Sequence, residues 1–176
     1  MNKHEWGMYV GRFQPFHKGH LNVVRNALEH CDKLVIVIGS AQECGTKKNP
    51  YSWEVRKEII RRSLRGLGKR VVIIAVADRE EIHNDSGWGR YLLDEIYAQL
   101  GIVPTINFEG HEDVRSTWFK GIDIERQEIA RDNISATAVR DALERDDRYL
   151  YEWLMPTSMW SQYGLMRKVI LEVEDE

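Results

Sequence analysis

Cysteine is scarce in this chain: two residues in 176, Cys31 and Cys44, neither in a CxxC spacing nor beside a Cys/His cluster. That argues against a thiolate zinc site and against a fold stapled by disulfides. Long apolar runs are missing as well. Residues 1–6 hold no apolar core of signal-peptide length, and no later run approaches the roughly 18 residues a membrane helix needs. The expected setting is therefore the cytoplasm, with no membrane partner. Neither sign of charge dominates. Lys plus Arg number 25 against 28 for Asp plus Glu, a net charge of −3, which argues against nucleic acid as a partner. The basic pairs Arg56-Lys57 and Arg61-Arg62 alternate with acidic and apolar positions and read as a solvated helix face. No repeat, low-complexity stretch or linker interrupts the chain. At 43% hydrophobic it carries enough apolar material for one layered core, so residues 1–176 read as a single domain.

What the sequence does contain is alternation. Met8-Tyr9-Val10 leads through a Gly-rich loop into Leu21, Val24, Leu28 and Cys31 at helical spacing, which reads as strand, loop, helix with Cys31 on the helix. Leu34–Ile38 is a continuous β-branched run, the pattern of a parallel strand covered on both faces. Pro50 and Ser52 precede a helix whose Val55, Ile59, Ile60 and Leu64 share a face, and Val71–Val76 supplies a third buried strand. Ser86-Gly87 opens a helix with Leu92, Leu93, Ile96 and Leu100 inward and Gly101 placed as its C′ residue. Val103–Phe108 is the fourth strand, with Pro104 among its first residues. Between Gly110 and Asp132 the pattern is charged and aperiodic, apart from a short Ile122-Asp123-Ile124 run read as a short strand. Ser135 opens a helix through Leu143, and Trp160, Tyr163, Arg167 and Ile170 mark a final helix packed on the sheet. Alternating strands and helices of this kind predict an α/β fold, a doubly wound parallel sheet sandwiched by helices with a C-terminal helical segment. Such sheets bind ligands outside the carboxyl ends of their strands. Chemistry is then expected after Val10, Ile38, Ala77 and Phe108.

The densest chemistry lies in Gly11-Arg12-Phe13-Gln14-Pro15-Phe16-His17-Lys18-Gly19-His20, where a strand end meets a helix start. A helix N-terminus offers unpaired N–H groups and a positive dipole end, and Gly19 lets backbone approach an anion closely. Arg12, His17 and His20 are suitable donors to charge developing on a phosphate in transfer. An isolated HxxH pair is more ordinarily a pair of surface histidines, and zinc lacks a third ligand. Far downstream, Ser135 can cap a helix whose first turn also carries Thr137, with Arg140 one turn beyond to grip a phosphate bidentately. Taken alone, those two are a plain cap and a surface charge. Together they form a second phosphate cradle.

GRFQPFHKGH with Ile134-Ser135-Ala136-Thr137-Ala138-Val139-Arg140 resembles the HxGH and ISxTxxR signatures of the nucleotidyltransferase superfamily with a Rossmann-like fold. Gly39-Ser40-Ala41-Gln42, Lys48-Asn49-Pro50-Tyr51, Arg56 and the IxNxSxW pattern at Ile82, Asn84, Ser86 and Trp88 are most similar to nicotinamide mononucleotide adenylyltransferases of the archaeal and small bacterial type. The resemblance implies that AMP is transferred from ATP to NMN, giving NAD and pyrophosphate. It implies catalytic roles for Arg12, His17, His20 and Arg140, and ATP or phosphate contacts at Gly11, Phe13, Gly19, Lys47, Lys48, Gly110, His111, Ser135 and Thr137. NMN is expected at Gly39, Ser40, Ile82, Asn84 and Trp88, with the indole stacked on the cationic ring. Gly110-His111, Asp113, Ser116 and Trp118-Phe119 resemble the stretch where adenosine is expected. A lysine usual there is missing, and Ala77-Asp78-Arg79 replaces the usual IPD, which leaves a ribose role for Asp78 open. Mg²⁺ is expected to arrive mainly on the ATP phosphates, held by no dedicated protein site. Relatives are often homo-oligomers, though no interface is legible in the sequence. No Nudix box follows the transferase motifs. Two rival readings stand beside this one: another HxGH transferase using CTP or a phosphopantetheine acceptor, and a catalytically silent ATP- or NAD-binding regulatory domain.

Overall fold

The computed structural model describes residues 3–82, 85–110, 117–130 and 132–173, the side chains of residues 85 and 86 excepted. Five strands form one parallel sheet: β1 (His4–Gly11), β2 (Cys31–Ile38), β3 (Val71–Ala75), β4 (Ile106–Gly110) and β5 (Glu125–Ile129). Their order is β3-β2-β1-β4-β5. All four neighbouring pairs among these strands run parallel, with Met8 opposite both Val35 and Asn107. The order reverses at β1, so the crevice between the β1 and β4 ends is the topological switch point where such sheets take ligands.

Alternate residues of the strands feed two cores. Tyr9, Leu34, Ile36, Ile38, Ile106 and Phe108 face α1 (Lys18–His30), α2 (Trp53–Ser63) and the C-terminal helices. Met8, Val10, Val35, Val37 and Ile74 face α3 (Asp85–Leu100), with Leu92, Ile96 and Phe119. The central strands β1 and β2 are therefore covered on both sides over Gly7–Gly11 and Leu34–Ile38, as the β-branched run of β2 requires. β3 lies at an edge, and Val71, Val72 and Ile73 are only half-buried.

Local boundaries depart from the sequence expectation in instructive ways. Cys31 is not helical: it caps α1 and begins β2. On α2 it is Arg56, together with Ile59 and Ile60, that faces inward, while Val55 is 41% exposed. β4 starts at Ile106, two residues after Pro104, because a proline has no N–H to give a ladder. The ladder to β5 then pairs Ile106 with Glu125, just beyond the Ile122–Ile124 run. The expected final helix is three elements. They are α5 (Arg148–Leu154), a 3₁₀ turn (Thr157–Gln162) holding Trp160, and α6 (Tyr163–Glu172), which packs on α4 (Ala136–Glu144) and that turn. Gly101 does close α3, at φ 66°, with its N–H donated to Tyr97 O.

Candidate active site

Where β1 meets α1, two histidines close the helix end on each other. His17 is the N-cap; its Nδ1 accepts from the Gly19 N–H at 3.1 Å. His20 Nδ1 accepts from the His17 N–H at 3.2 Å, completing a reciprocal capping box. A backbone amide can only donate, so each ring must carry its proton on Nε2, a tautomer assigned from these bonds. The rings stack at 3.8 Å between centroids and 26° between planes. His17 is fully buried and His20 is 7% exposed.

Gly19 serves this box. A Cβ there would lie 3.0 Å from His17 Cε1 and 3.6 Å from Ile134 Cβ, so the glycine admits the folded-back ring and the approach of the Ile134 segment. Its amide is spent on His17. Phe13 is 2% exposed and stands edge-on to His20 at 5.0 Å. Its side chain forms the wall behind the histidine, and its φ of 54° turns the chain at the end of β1, where Gly11 is the last residue. Arg12, next to that turn, is exposed.

The second cradle meets the first directly. Arg140 Nη1 donates to Gln14 O at 2.8 Å and Nη2 to Thr137 Oγ1 at 3.2 Å. Burial pushes the Arg140 guanidinium below its usual value, and the neighbouring Asp141 and Tyr51 pull it back up. Ser135 accepts the Ala138 N–H at 3.1 Å as an N-cap, leaving the exposed Thr137 beside it on the first turn. Gln14 also links outward: its side-chain amide exchanges two hydrogen bonds with the Tyr51 backbone, at 2.9 and 3.0 Å. That joins the first motif to the loop carrying Lys47 and Lys48, both exposed; Lys47 lies 3.5 Å from Glu144 at the end of α4.

Gly39 and Ser40 follow β2. Gly39 N–H reaches Gly11 O at 2.9 Å, and Ser40 is buried at φ 46°. Gln42 and Asp78 exchange two bonds, 3.0 and 2.9 Å, so Asp78 closes the loops after β2 and β3 onto each other. Trp88 is half-buried on the first turns of α3, tilted 30° against Trp118 at 6.1 Å and edge-on to Tyr91 at 5.9 Å. Ile82 is half-buried and Gly110 ends β4. Asn84, His111, Asp113 and Ser116 lie outside the described residues, and among the described residues no group of three or more His, Cys, Asp or Glu converges as a metal site.

Three contributors were given no role at the site by sequence reasoning, although all three lie in or among the residues that carry the resemblance. Lys18, the variable position of HKGH, caps the end of α5 through the carbonyls of Glu152 and Trp153 at 3.1 and 2.7 Å. Gln14 links three segments. Arg56, assigned to a solvated face, is completely buried and donates to carbonyls of the β1 and β2 loops. The signal for it was present: position 56 falls three and four residues before Ile59 and Ile60, on the apolar stripe. Lys57, Arg61 and Arg62 are indeed exposed.

Residues 8–142 match the cytidylyltransferase-like family. A nicotinamide-nucleotide adenylyltransferase of Saccharolobus solfataricus is 43% identical over 86 residues, 49% of this chain and 50% of that protein. The alignment thus spans about half that relative's length. The like-named protein of Thermococcus sibiricus is 33% identical over 87% of this chain and 80% of its own length. In structure, a bifunctional NMN adenylyltransferase/ADP ribose pyrophosphatase of Francisella tularensis, complexed with AMP and a Mn ion, superposes with a TM-score of 0.76 at 26% identity, over 96% of this chain and 51% of that one. On the sheet order, the two joined cradles and these likenesses, the chain belongs to the cytidylyltransferase-like family and, within it, to the group of the archaeal nicotinamide-nucleotide adenylyltransferases.

Proposed function

We propose that the chain, acting in the cytoplasm as one transferase domain, moves the adenylyl group of ATP to nicotinamide mononucleotide and releases pyrophosphate. The observation that carries this reading is the stacked His17–His20 pair, both rings held with Nε2 as donor, at a helix N-terminus that Arg140 ties to a second phosphate cradle. A 5′-phosphate oxygen of NMN attacks the α-phosphorus of ATP in line. The new P–O bond forms as the bond from that phosphorus to the β-bridging oxygen breaks, and the electron pair leaves on pyrophosphate. The attacking phosphate is already ionised, so no strong base is required. The work falls to orientation and charge stabilisation.

In this reading His20, with His17 stacked on it, donates to the α-phosphate. Arg12 and Arg140 hold the triphosphate, with Lys47 or Lys48 closing from the loop, and the first-turn amides beside Thr137 face the same anion. Mg²⁺ enters as part of the ATP substrate, its waters and phosphate oxygens forming most of its shell. NMN lies by Gly39, Ser40 and Ile82 with its ring on Trp88, for which a cationic pyridinium on an indole face is a favourable pairing.

The test is steady-state NAD formation from NMN, ATP and Mg²⁺, with CTP and nicotinic acid mononucleotide assayed in parallel. Turnover on the order of one per second or faster with NMN and ATP is the expected outcome. Turnover with CTP in place of ATP would keep the phosphate chemistry and reject the adenylyl donor.

A further inference from the structure

We propose that Arg56 is a positioning residue for the transfer: its buried guanidinium grips the backbone that follows β1 and β2 and so holds Arg12 and the Gly39–Ser40 turn where the two substrates need them. The inference rests on the adenylyltransferase reading above.

Nη1 donates to Arg12 O at 2.9 Å and to Gly39 O at 3.0 Å; Nη2 donates to Ser40 O at 3.1 Å. The carbonyls of Glu43 and Ala41 lie at 3.4 and 3.5 Å. Every acceptor is a neutral carbonyl, and no carboxylate of the described residues forms an ion pair with it. A cation buried in this way is a costly choice for packing alone, since an apolar side chain fills such a site at least as well. What the charge secures is local. Phe13 at φ 54° and Ser40 at φ 46° are left-handed without being glycine, a backbone state that persists only where the surroundings enforce it. Arg12 O belongs to the peptide entering Phe13, and Gly39 O and Ser40 O bracket Ser40. One planar fork thus fixes both strained turns, on neighbouring strands, and fixes them relative to each other.

The placement also explains the residue type. A lysine is a point donor on a flexible stem and cannot span carbonyls of two loops as a rigid fork does. Arg12 directly precedes the first turn, so a slip there moves a cation away from the triphosphate. The second turn carries the residues assigned to NMN.

The experiment compares wild type, Arg56→Lys, Arg12→Ala and the double variant, each confirmed folded by circular dichroism at the assay temperature, with kcat and KM for ATP and NMN measured separately. Arg56→Lys is expected to lower kcat about 100-fold, the scale of a one-ångström misplacement, and by more than it raises either KM. In the Arg12→Ala background the same change is expected to cost less than about 10-fold, because residues acting as a unit are not additive. Should Arg56→Lys not fold, Arg56→Gln takes its place with the same thresholds. A folded Arg56 variant with kcat within about threefold of wild type overturns the proposal, as does an undiminished loss in the double variant. Wild type that forms no NAD overturns the underlying reading and this proposal with it, an outcome distinct from active wild type with an unaffected Arg56 variant.

Discussion

A single imidazole illustrates how this site is organised. His20 spends Nδ1 on the His17 amide and is wedged between Phe13 and Phe16, whose rings lie 5.0 and 5.3 Å away. The donor is therefore set before any substrate arrives, which is the condition under which one hydrogen bond counts most in a transition state. His20→Ala is expected to lower the turnover of NAD formation by roughly two to three orders of magnitude; near-normal kcat in that variant would remove His20 from the chemistry. Cys31 shows a different consequence of burial. Its thiol, fully buried beneath α1, is pushed up by desolvation to about 11 from an ordinary 9.0. The folded state then holds a proton that the unfolded chain gives up earlier, so the associated stability is complete below about pH 9 and is lost as pH rises through about 11. Thermal midpoints measured from pH 8 to 11 should fall more steeply in wild type than in Cys31→Ala. The same burial shields the sulfur, and a thiol reagent should modify the exposed Cys44 in the native protein and Cys31 only after unfolding.

At the scale of elements, the site is a meeting of ends: α1, α4 and the loops after β1, β2 and β3. Ser135 sets the start of α4 by accepting the Ala138 amide. Ser135→Ala is expected to cost about 0.5–2 kcal/mol, read as a lower denaturation midpoint, and to raise KM for ATP as the first turn frays. α3 meets the loop before β5 more tightly. A Cβ on Gly89 would lie 2.0 Å from Trp118 O and 2.7 Å from Trp118 C. That is a collision with backbone, which no rotamer change relieves. Gly89→Ala should therefore destabilise by about 1–3 kcal/mol, the usual range for overpacking. It should also raise KM for NMN more than KM for ATP, because it separates Trp88 from Trp118. Unchanged stability in Gly89→Ala would show that this loop yields freely.

Across the whole molecule, the sheet order puts the reversal at β1 and so gathers the motifs from residues 11–20 and 134–140 at one edge of the crevice, linked by Arg140 and Gln14. Because the metal enters with the triphosphate in our reading, a chelator should abolish NAD formation while leaving the thermal midpoint of the ligand-free protein unchanged. A midpoint that falls on chelation alone would point to a resident ion. No helix of the described residues is long and apolar enough to cross a membrane. The sequence by itself determined the strand–helix alternation, because a parallel strand buried on both faces favours a short continuous apolar run, as at Leu34–Ile38. The two motifs at residues 11–20 and 134–140 were legible too, because each alone has an ordinary reading as surface histidines or a plain helix cap and only their joint occurrence in order does not. Only the tertiary structure decided which side chains and amides of these motifs are engaged by the protein itself. Gly19's amide, Phe13's ring, Lys18 and Ser135 are all spent within the protein. Arg56 shows why. Its charge marks it for solvent on any composition scale, and only the convergence of carbonyls from two loops, distant from it along the chain, supplies the partners that make its burial tolerable.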